Sequence, residues 1–277
     1  MDGVEAGRVR AGHVHGGGMS GEALVPLGLA ACRVAGVAAF APAFASAALS
    51  ARMRAAIAIA LAAAALPTVA ASGLPQASVD EPWRLVPAAA VEFAVGAAIG
   101  TIAMLPVAAF RAAGSLAGVQ MGLGFGAAVS EGAPDAMDGD DAVGQVLGLA
   151  GAAMFAWAGG LDAVALASVR SFDYVGLGLW RPGEGTLAVA TGAACAACEL
   201  SLRVAMPVTV VLVVESMVSG LVARSVPGIS PIAFGFPVRA AVGLLALATG
   251  AWAMQSSMDG AVAGMLDAMH SVAGGAR

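Results

Sequence analysis

The sequence predicts an all-α, polytopic membrane-protein helical fold. Three observations carry that reading. Of 277 residues, 60% are hydrophobic and only 11% charged, and the mean hydropathy is +0.88, whereas soluble domains carry about 25% charged residues. The apolar residues come in runs long enough for helices that cross hydrocarbon, which takes about 20 residues each. Between the runs lie short segments rich in Gly, Pro and charge, where helices end.

In chain order, residues 1–21 are polar and Gly-rich and read as a tail, with Met19 expected as the biological start because it directly precedes the first apolar run. That run spans about Ala23–Leu49 and is interrupted by Arg33. Ser50–Arg54 precedes a second run, Ala55–Ala71, and a Gly/Pro/charge loop occupies Ser72–Arg84. The third run, Leu85–Phe110, stops at Arg111. Ala112–Val129 is Gly-rich, and Ser130–Asp141 carries Glu131, Asp135, Asp138, Asp140 and Asp141. The fourth run is Ala142–Val169, followed by a mixed loop, Arg170–Gly185. Thr186–Val222 is too long for one simple span, so it is either one tilted helix kinked at Pro207 or two pieces. Two prolines and a glycine mark a turn at Arg224–Pro231, and the last run is Ile232–Met254. Six apolar helices are expected, or seven, with residues 257–277 as a C-terminal tail. Arg52, Arg54, Arg111 and Arg224 would place their helix ends in the cytoplasm under the positive-inside rule.

Ala, Gly and Val dominate the apolar runs. Ala55–Ala71 holds only Ile57, Ile59, Leu61, Leu66 and Val69 from the strongly inserting set, roughly −1.5 to −3 kcal/mol in all. Small side chains let helix backbones approach closely, which suits packing against protein; compositional bias toward alanine is the other reading. Gly114, Gly118, Gly122 and Gly126 recur every fourth residue. They form either a bare helix face or a bending loop.

Charges inside the apolar runs are Arg33, Glu92, Asp162, Glu199, Arg203 and Glu215, each costing roughly 2.5–3.5 kcal/mol at a bilayer centre. They read either as an ion pathway or as interhelical pairs, and Glu199–Arg203 has the i, i+4 order of a local pair. All 13 basic residues are Arg, with no basic run, so no nucleic-acid partner is expected. His13, His15 and His270 lie outside the apolar runs, and no nucleophile-elbow, zincin or phosphate-loop pattern is present. No catalytic residue, metal or cofactor is expected, and Cys195-Ala-Ala-Cys198 reads as small apolar side chains on a helix.

An ordered set of segments resembles the FliR/SctT family. Near the N-terminus these are Arg33-Val34-Ala35-Gly36, then Ala41-Pro42, then Ala51-Arg52-Met53-Arg54. In the middle comes Gly118-Val119-Gln120-Met121-Gly122-Leu123-Gly124-Phe125, followed by Gly159-Gly160 and Arg170-Ser171-Phe172. Near the end stand Arg224-Ser225-Val226-Pro227 and Gly235-Phe236-Pro237. The match covers about residues 22–255, and its Gln-Met-Gly-Leu-Gly-Phe wording is nearer the flagellar branch. It departs from the family pattern at Leu49-Ser50, Ser130–Asp135, Leu161-Asp162 and Glu215.

The resemblance implies a FliP-like helical part over 22–185 and a FliQ-like hairpin over 186–256. It implies one subunit of a type III protein export gate in the bacterial inner membrane, at the flagellar basal body or injectisome base. The partners implied are FliP-like and FliQ-like subunits, FlhB-like and FlhA-like export proteins, and unfolded protein substrates. It implies that Gln120, Met121, Gly122, Leu123, Gly124 and Phe125 plug the pore. Arg33, Gly36, Pro42, Arg52, Arg54, Arg224, Pro227, Gly235, Phe236 and Pro237 would be its structural motif residues. The alternative is a small-molecule or ion transporter using Glu92, Asp162 or Glu215.

Five carboxylates in residues 131–141 repel one another and are costly in hydrocarbon. An Asp138→Cys thiol is expected to react rapidly with a membrane-impermeant maleimide from one side. Protection on both sides would show the acidic stretch to be enclosed.

Overall fold

The computed structural model describes residues 21–42, 50–71, 83, 85–123, 141–178, 180, 184–225 and 231–274. Of these, 94% are helical and none forms a strand. The chain is thus an all-α polytopic membrane protein, as its composition requires: without water to satisfy backbone polar groups, a spanning segment must close its own hydrogen bonds. Gly124, Phe125, Pro227, the acidic residues 131–140 and residues 1–20 lie outside the described residues, as does the side chain of Arg54.

Seven long helices appear among the described residues. They are α1 (Gly21–Phe40), α2 (Ala51–Ala71), α3 (Leu85–Met121), α4 (Ala142–Trp157), α5 (Gly160–Tyr174), α6 (Glu184–Ser225) and α7 (Pro231–Gly274). Three of them, α3, α6 and α7, are long and apolar enough to cross a membrane alone; α4 and α5 together form a fourth candidate, bent by 65°. The bend falls at Gly159, whose φ of +78° suits a residue without Cβ. The Ala-rich α2 does not qualify, in keeping with its few strongly inserting side chains.

Several boundaries differ from the sequence expectation: the fourth run is two helices, α4 and α5, and the second continues past Arg170 to Tyr174. Arg111 does not end the third run: α3 continues through it for a total of 37 residues, about 55 Å. Arg111 is exposed on the helix surface, and one charge on a long side chain does not disturb backbone hydrogen bonds. The last helix does not stop near Met254 but runs to Gly274. Met254, Met258, Val262, Met265 and Met269, all buried, share one face at helical spacing. They join Leu200, Val204 and Ala205 of α6 in the main core. Thr186–Val222 is one helix, with Pro207 accommodated inside it.

Helix α3 is the central element, with α1, α4, α5, α6 and α7 packed around it. The side chains missing at glycine permit this. A Cβ on Gly96 would run into the Arg33 carbonyl, and one on Gly36 would lie 2.8 Å from the Ala97 nitrogen, so α1 and α3 touch backbone to backbone. A Cβ on Gly114 would lie 2.7 Å from Leu147 Cβ, and one on Gly151 2.7 Å from Phe110 Cβ, where α4 meets α3. Asp141 caps α4, its Oδ1 accepting from the Gly144 N–H at 3.0 Å, while its Oδ2 accepts from Ser115 Oγ of α3 at 2.5 Å.

Arg33 and Glu92 are fully buried and paired at 2.6 Å. Arg33 also donates to Ser171 Oγ and to the Val175 carbonyl, both at 3.2 Å, and its guanidinium lies 4.2 Å from the Phe172 ring centre. The second Glu92 oxygen accepts the Gly178 N–H at 2.7 Å. One ion pair thereby ties α1, α3 and the end of α5 together.

Helices α6 and α7 form an antiparallel hairpin. Val208 and Leu212 pack near Ala246 and Leu247, and Glu215 faces Arg239 at 4.0 Å. Further along, residues 189–203 of α6 face 256–271 of α7.

Removing one partner of a buried pair leaves an uncompensated charge, at about 3–5 kcal/mol. Arg33→Met is expected to lower the detergent-solubilised melting midpoint sharply. The double variant Arg33→Met/Glu92→Met is expected to recover most of the loss, because it buries no charge; a thermal melt followed by size-exclusion chromatography measures both.

Candidate functional site

The site is built where α3 ends. The Leu123 N–H donates to the Gly118 carbonyl and the Gly122 N–H to the Val119 carbonyl, both at 3.0 Å. This 6→1 plus 5→2 pattern is a Schellman cap, which needs a left-handed residue at its C′ position. Gly122 supplies it with φ +78°. The glycine in Gln-Met-Gly-Leu therefore stops the helix at a defined point and turns the chain away from its axis.

The residue before the turn is locked in place. Met121 is fully buried among Ala117, Val143, Val208 and Leu212. A Cβ on Gly243 of α7 would meet Met121 Cε at 2.6 Å, Cγ at 2.7 Å and Sδ at 2.9 Å, so the thioether fills the space that glycine leaves. The flexible Met side chain suits such an irregular gap. Beside it, the Phe236 ring covers Gly122: a Cβ there would lie 2.7 Å from Phe236 Cε2. Leu123, by contrast, is 37% exposed, and Gln120 is half-buried.

The structure thus brings together two groups of residues singled out in the sequence, Gln120–Leu123 and Gly235-Phe236-Pro237, although they are far apart in the chain. Pro237 sits inside α7, near its start, where its missing N–H leaves one backbone carbonyl unpaired. The other motif residues lie elsewhere. Arg33 and Gly36 belong to the α1–α3 contact. Pro42 is half-buried just past α1, Arg52 is exposed in the first turn of α2, and Arg224 is exposed in the last turn of α6, where a cation suits the helix dipole. Gly243 escaped the sequence reading, since one glycine in an apolar helix has no local signature. The Arg33–Glu92 pair did have a signal, two opposite charges isolated in separate apolar runs.

The carboxylates considered for transport are not assembled. Glu92 is consumed by Arg33 and Gly178. Asp162 is exposed in the first turn of α5. Glu215 accepts from Ser219 Oγ at 2.5 Å and faces Arg239. Glu199 and Arg203 form the expected i, i+4 pair at 2.7 Å on an exposed face. Among the described residues, no group of three or more His, Cys, Asp or Glu could hold a metal. Cys195 and Cys198 are exposed free thiols on α6. A cavity of about 560 Å³ lies between α3, α6 and α7, walled by small residues such as Gly192, Ala196, Gly260 and Gly264.

Residues 24–265 match the family described as bacterial export proteins, family 1. No curated protein matches the chain. The chain belongs to that family, the FliR/SctT family, and is a membrane component of a type III export apparatus, working in a complex with other export proteins.

A β-branched side chain at position 122 would have to adopt positive φ, a cost of about 1–2 kcal/mol, and would also strike the Phe236 ring. Gly122→Val is expected to destabilise the purified protein by at least that amount, with the α3 cap opening first. Amide hydrogen exchange at residues 119–123 measures it; unchanged protection would show that the cap tolerates a side chain.

Proposed function

We propose that this member of the export family helps to form the pore through which unfolded flagellar or effector proteins cross the bacterial inner membrane. It would act as one subunit among several FliP-like and FliQ-like ones, beside FlhB-like and FlhA-like proteins, at the base of a flagellum or injectisome. The Gln-Met-Gly-Leu-Gly-Phe wording favours the flagellar system.

The observation that carries this reading is the hairpin. Helices α6 and α7 have 42 and 44 residues, about 63 and 66 Å, twice the hydrocarbon thickness. Half of the apolar window of α3 is buried inside the chain, against only 6% of that of α7. Cβ positions on Gly220 and Gly235 point into open space, unlike those on Gly36, Gly96, Gly114 and Gly151, which meet other helices. The exposed part of α7 also carries Asp259, together with Ser256 and Gln255, side chains poorly suited to lipid. Long, polar-dotted helices with bare glycine faces suit side-by-side packing with other helical subunits.

Within that assembly, Gln120–Phe125 would be the plug. Met121 anchors its root, Gly122 turns it, and Leu123 is the first residue free to contribute apolar bulk to a seal. A narrow apolar constriction blocks water and ions by dewetting. Ion transport by this chain alone has little support, because Glu92 is held by Arg33 and the three candidate carboxylates sit on separate helices.

Affinity purification of the tagged chain from its native membrane is expected to recover FliP-like and FliQ-like subunits in a stable complex. Recovery of the chain alone, with substrate-dependent uptake after reconstitution, would replace this reading with a transporter. Deleting Leu123–Phe125 spares Met121 and Gly122 and is expected to leave assembly intact while making cells conductive to small ions. An assembled complex with no added conductance would remove the plug.

A further inference from the structure

We propose that the start of α7 is a latch on the root of the plug: Phe236 and Gly243 are positioning residues that fix where the chain leaves α3. The inference rests on the plug reading above and adds to it the element that holds the plug in place.

The two contacts differ in kind. At Gly243, Met121 is enclosed on all sides, by Val143 of α4, Val208 and Leu212 of α6, and the bare backbone of α7. No side chain can be added at 243 without displacing the thioether. This contact fixes the end of α3 to the hairpin. At Gly122 the cover is one-sided. The Phe236 ring lies over the turn but is itself 41% exposed, so it is not enclosed as Met121 is.

The segment carrying Phe236 is also loosely tied. Pro237 removes a backbone hydrogen bond from the first turns of α7. Gly235 has nothing within 4 Å of its Cβ position. The ion pair that ties it to α6, Arg239 to Glu215, spans 4.0 Å, and Arg239 Nε makes no hydrogen bond among the described residues. A small lift of these turns would uncover Gly122 while Met121 stayed in its notch. Leu123 would then be free to move about a fixed point. The hairpin, whose outer faces are open to neighbouring subunits, is thereby mechanically connected to the plug through one aromatic ring. A one-sided van der Waals cover on a Schellman turn can open and re-form at low cost, because the backbone hydrogen bonds of the cap do not depend on it.

The test reads the position of the root directly. In a background with Cys32, Cys195 and Cys198 replaced by alanine, Leu123→Cys is labelled with a water-soluble maleimide in the assembled membrane complex. Phe236→Ala is expected to speed labelling by about tenfold, as for a local opening equilibrium that has lost one aromatic contact. Phe236→Leu, which keeps an apolar cover, should restore the slow rate. Gly243→Leu, which evicts Met121, should speed it further; if that variant fails to assemble, the Phe236 pair decides. A merely structural role for Phe236 would lower the yield of complex without changing the labelling rate per complex. Equal rates in assembled wild-type and Phe236→Ala complexes would overturn the latch. Conductance separates the two ideas: a leak on deleting Leu123–Phe125 with unchanged labelling in Phe236→Ala leaves the plug and removes the latch. Faster labelling in Phe236→Ala with no leak on deletion leaves the latch and removes the plug.

Discussion

Arg33 and Glu92 meet at the junction of α1, α3 and the end of α5, with neither charge reaching solvent. In apolar surroundings each would be prohibitive alone. Together, each of their side-chain nitrogen and oxygen atoms has a partner: the guanidinium reaches Glu92, Ser171 and the Val175 carbonyl, and the second carboxylate oxygen takes the Gly178 N–H. Where α1 meets α3, Gly36, Gly96 and Ala97 touch through backbone and offer little side-chain shape by which to choose one register over another. A pair that must meet to be tolerated selects the one register in which it does, and the rest of the helical part is arranged around that choice. Such a pair adds little net stability, because desolvation offsets its Coulomb attraction, yet losing one partner is costly.

With the register set, the small residues can act. Gly36 against Gly96, and Gly114 and Gly151 between α3 and α4, bring backbones together in a way that larger side chains would prevent. Dispersion between closely apposed helices then substitutes for the hydrophobic drive that Leu-rich surfaces would give in water. The same residue type also serves in the hairpin, where Gly243 admits Met121 while Gly220 and Gly235 face open space, and apolar side chains such as Met217, Leu221 and Trp252 are exposed. Both halves leave large apolar side chains exposed, Leu149 and Trp157 in the first and Leu221 and Trp252 in the hairpin, as a chain that works in a membrane and in a complex requires.

The end of α3 joins the two halves. Met121 takes its partners from α4, α6 and α7, so the helix that organises the first half terminates inside the second. A shift of the hairpin cannot leave the Gly122 turn untouched, because the turn lies between a buried side chain on one side and the Phe236 ring on the other. That continuity gives the proposed plug a mechanical root and a route by which assembly with other subunits can bear on it.

The sequence by itself determined the class of protein, the helical state of nearly every apolar run and the helix end close to Arg224. Each depends on local chemistry: too few charges for a soluble surface, backbone groups that must pair within their own segment, and residues that cannot continue a helix. The motif order also pointed to the family. The same local reading stopped α3 at Arg111, where an exposed charge only looked like a terminator, and stopped α7 near Met254, although Met254, Met258, Val262, Met265 and Met269 continue one face in plain view. Only the tertiary structure decided that Arg33 answers Glu92 rather than lining a pathway, that Gly243 admits the Met121 side chain, and that Phe236 covers Gly122. Those facts concern which distant segments share a space, and helix periodicity is silent on that, because a glycine notch and the methionine that fills it leave no pattern in the stretch of chain around either.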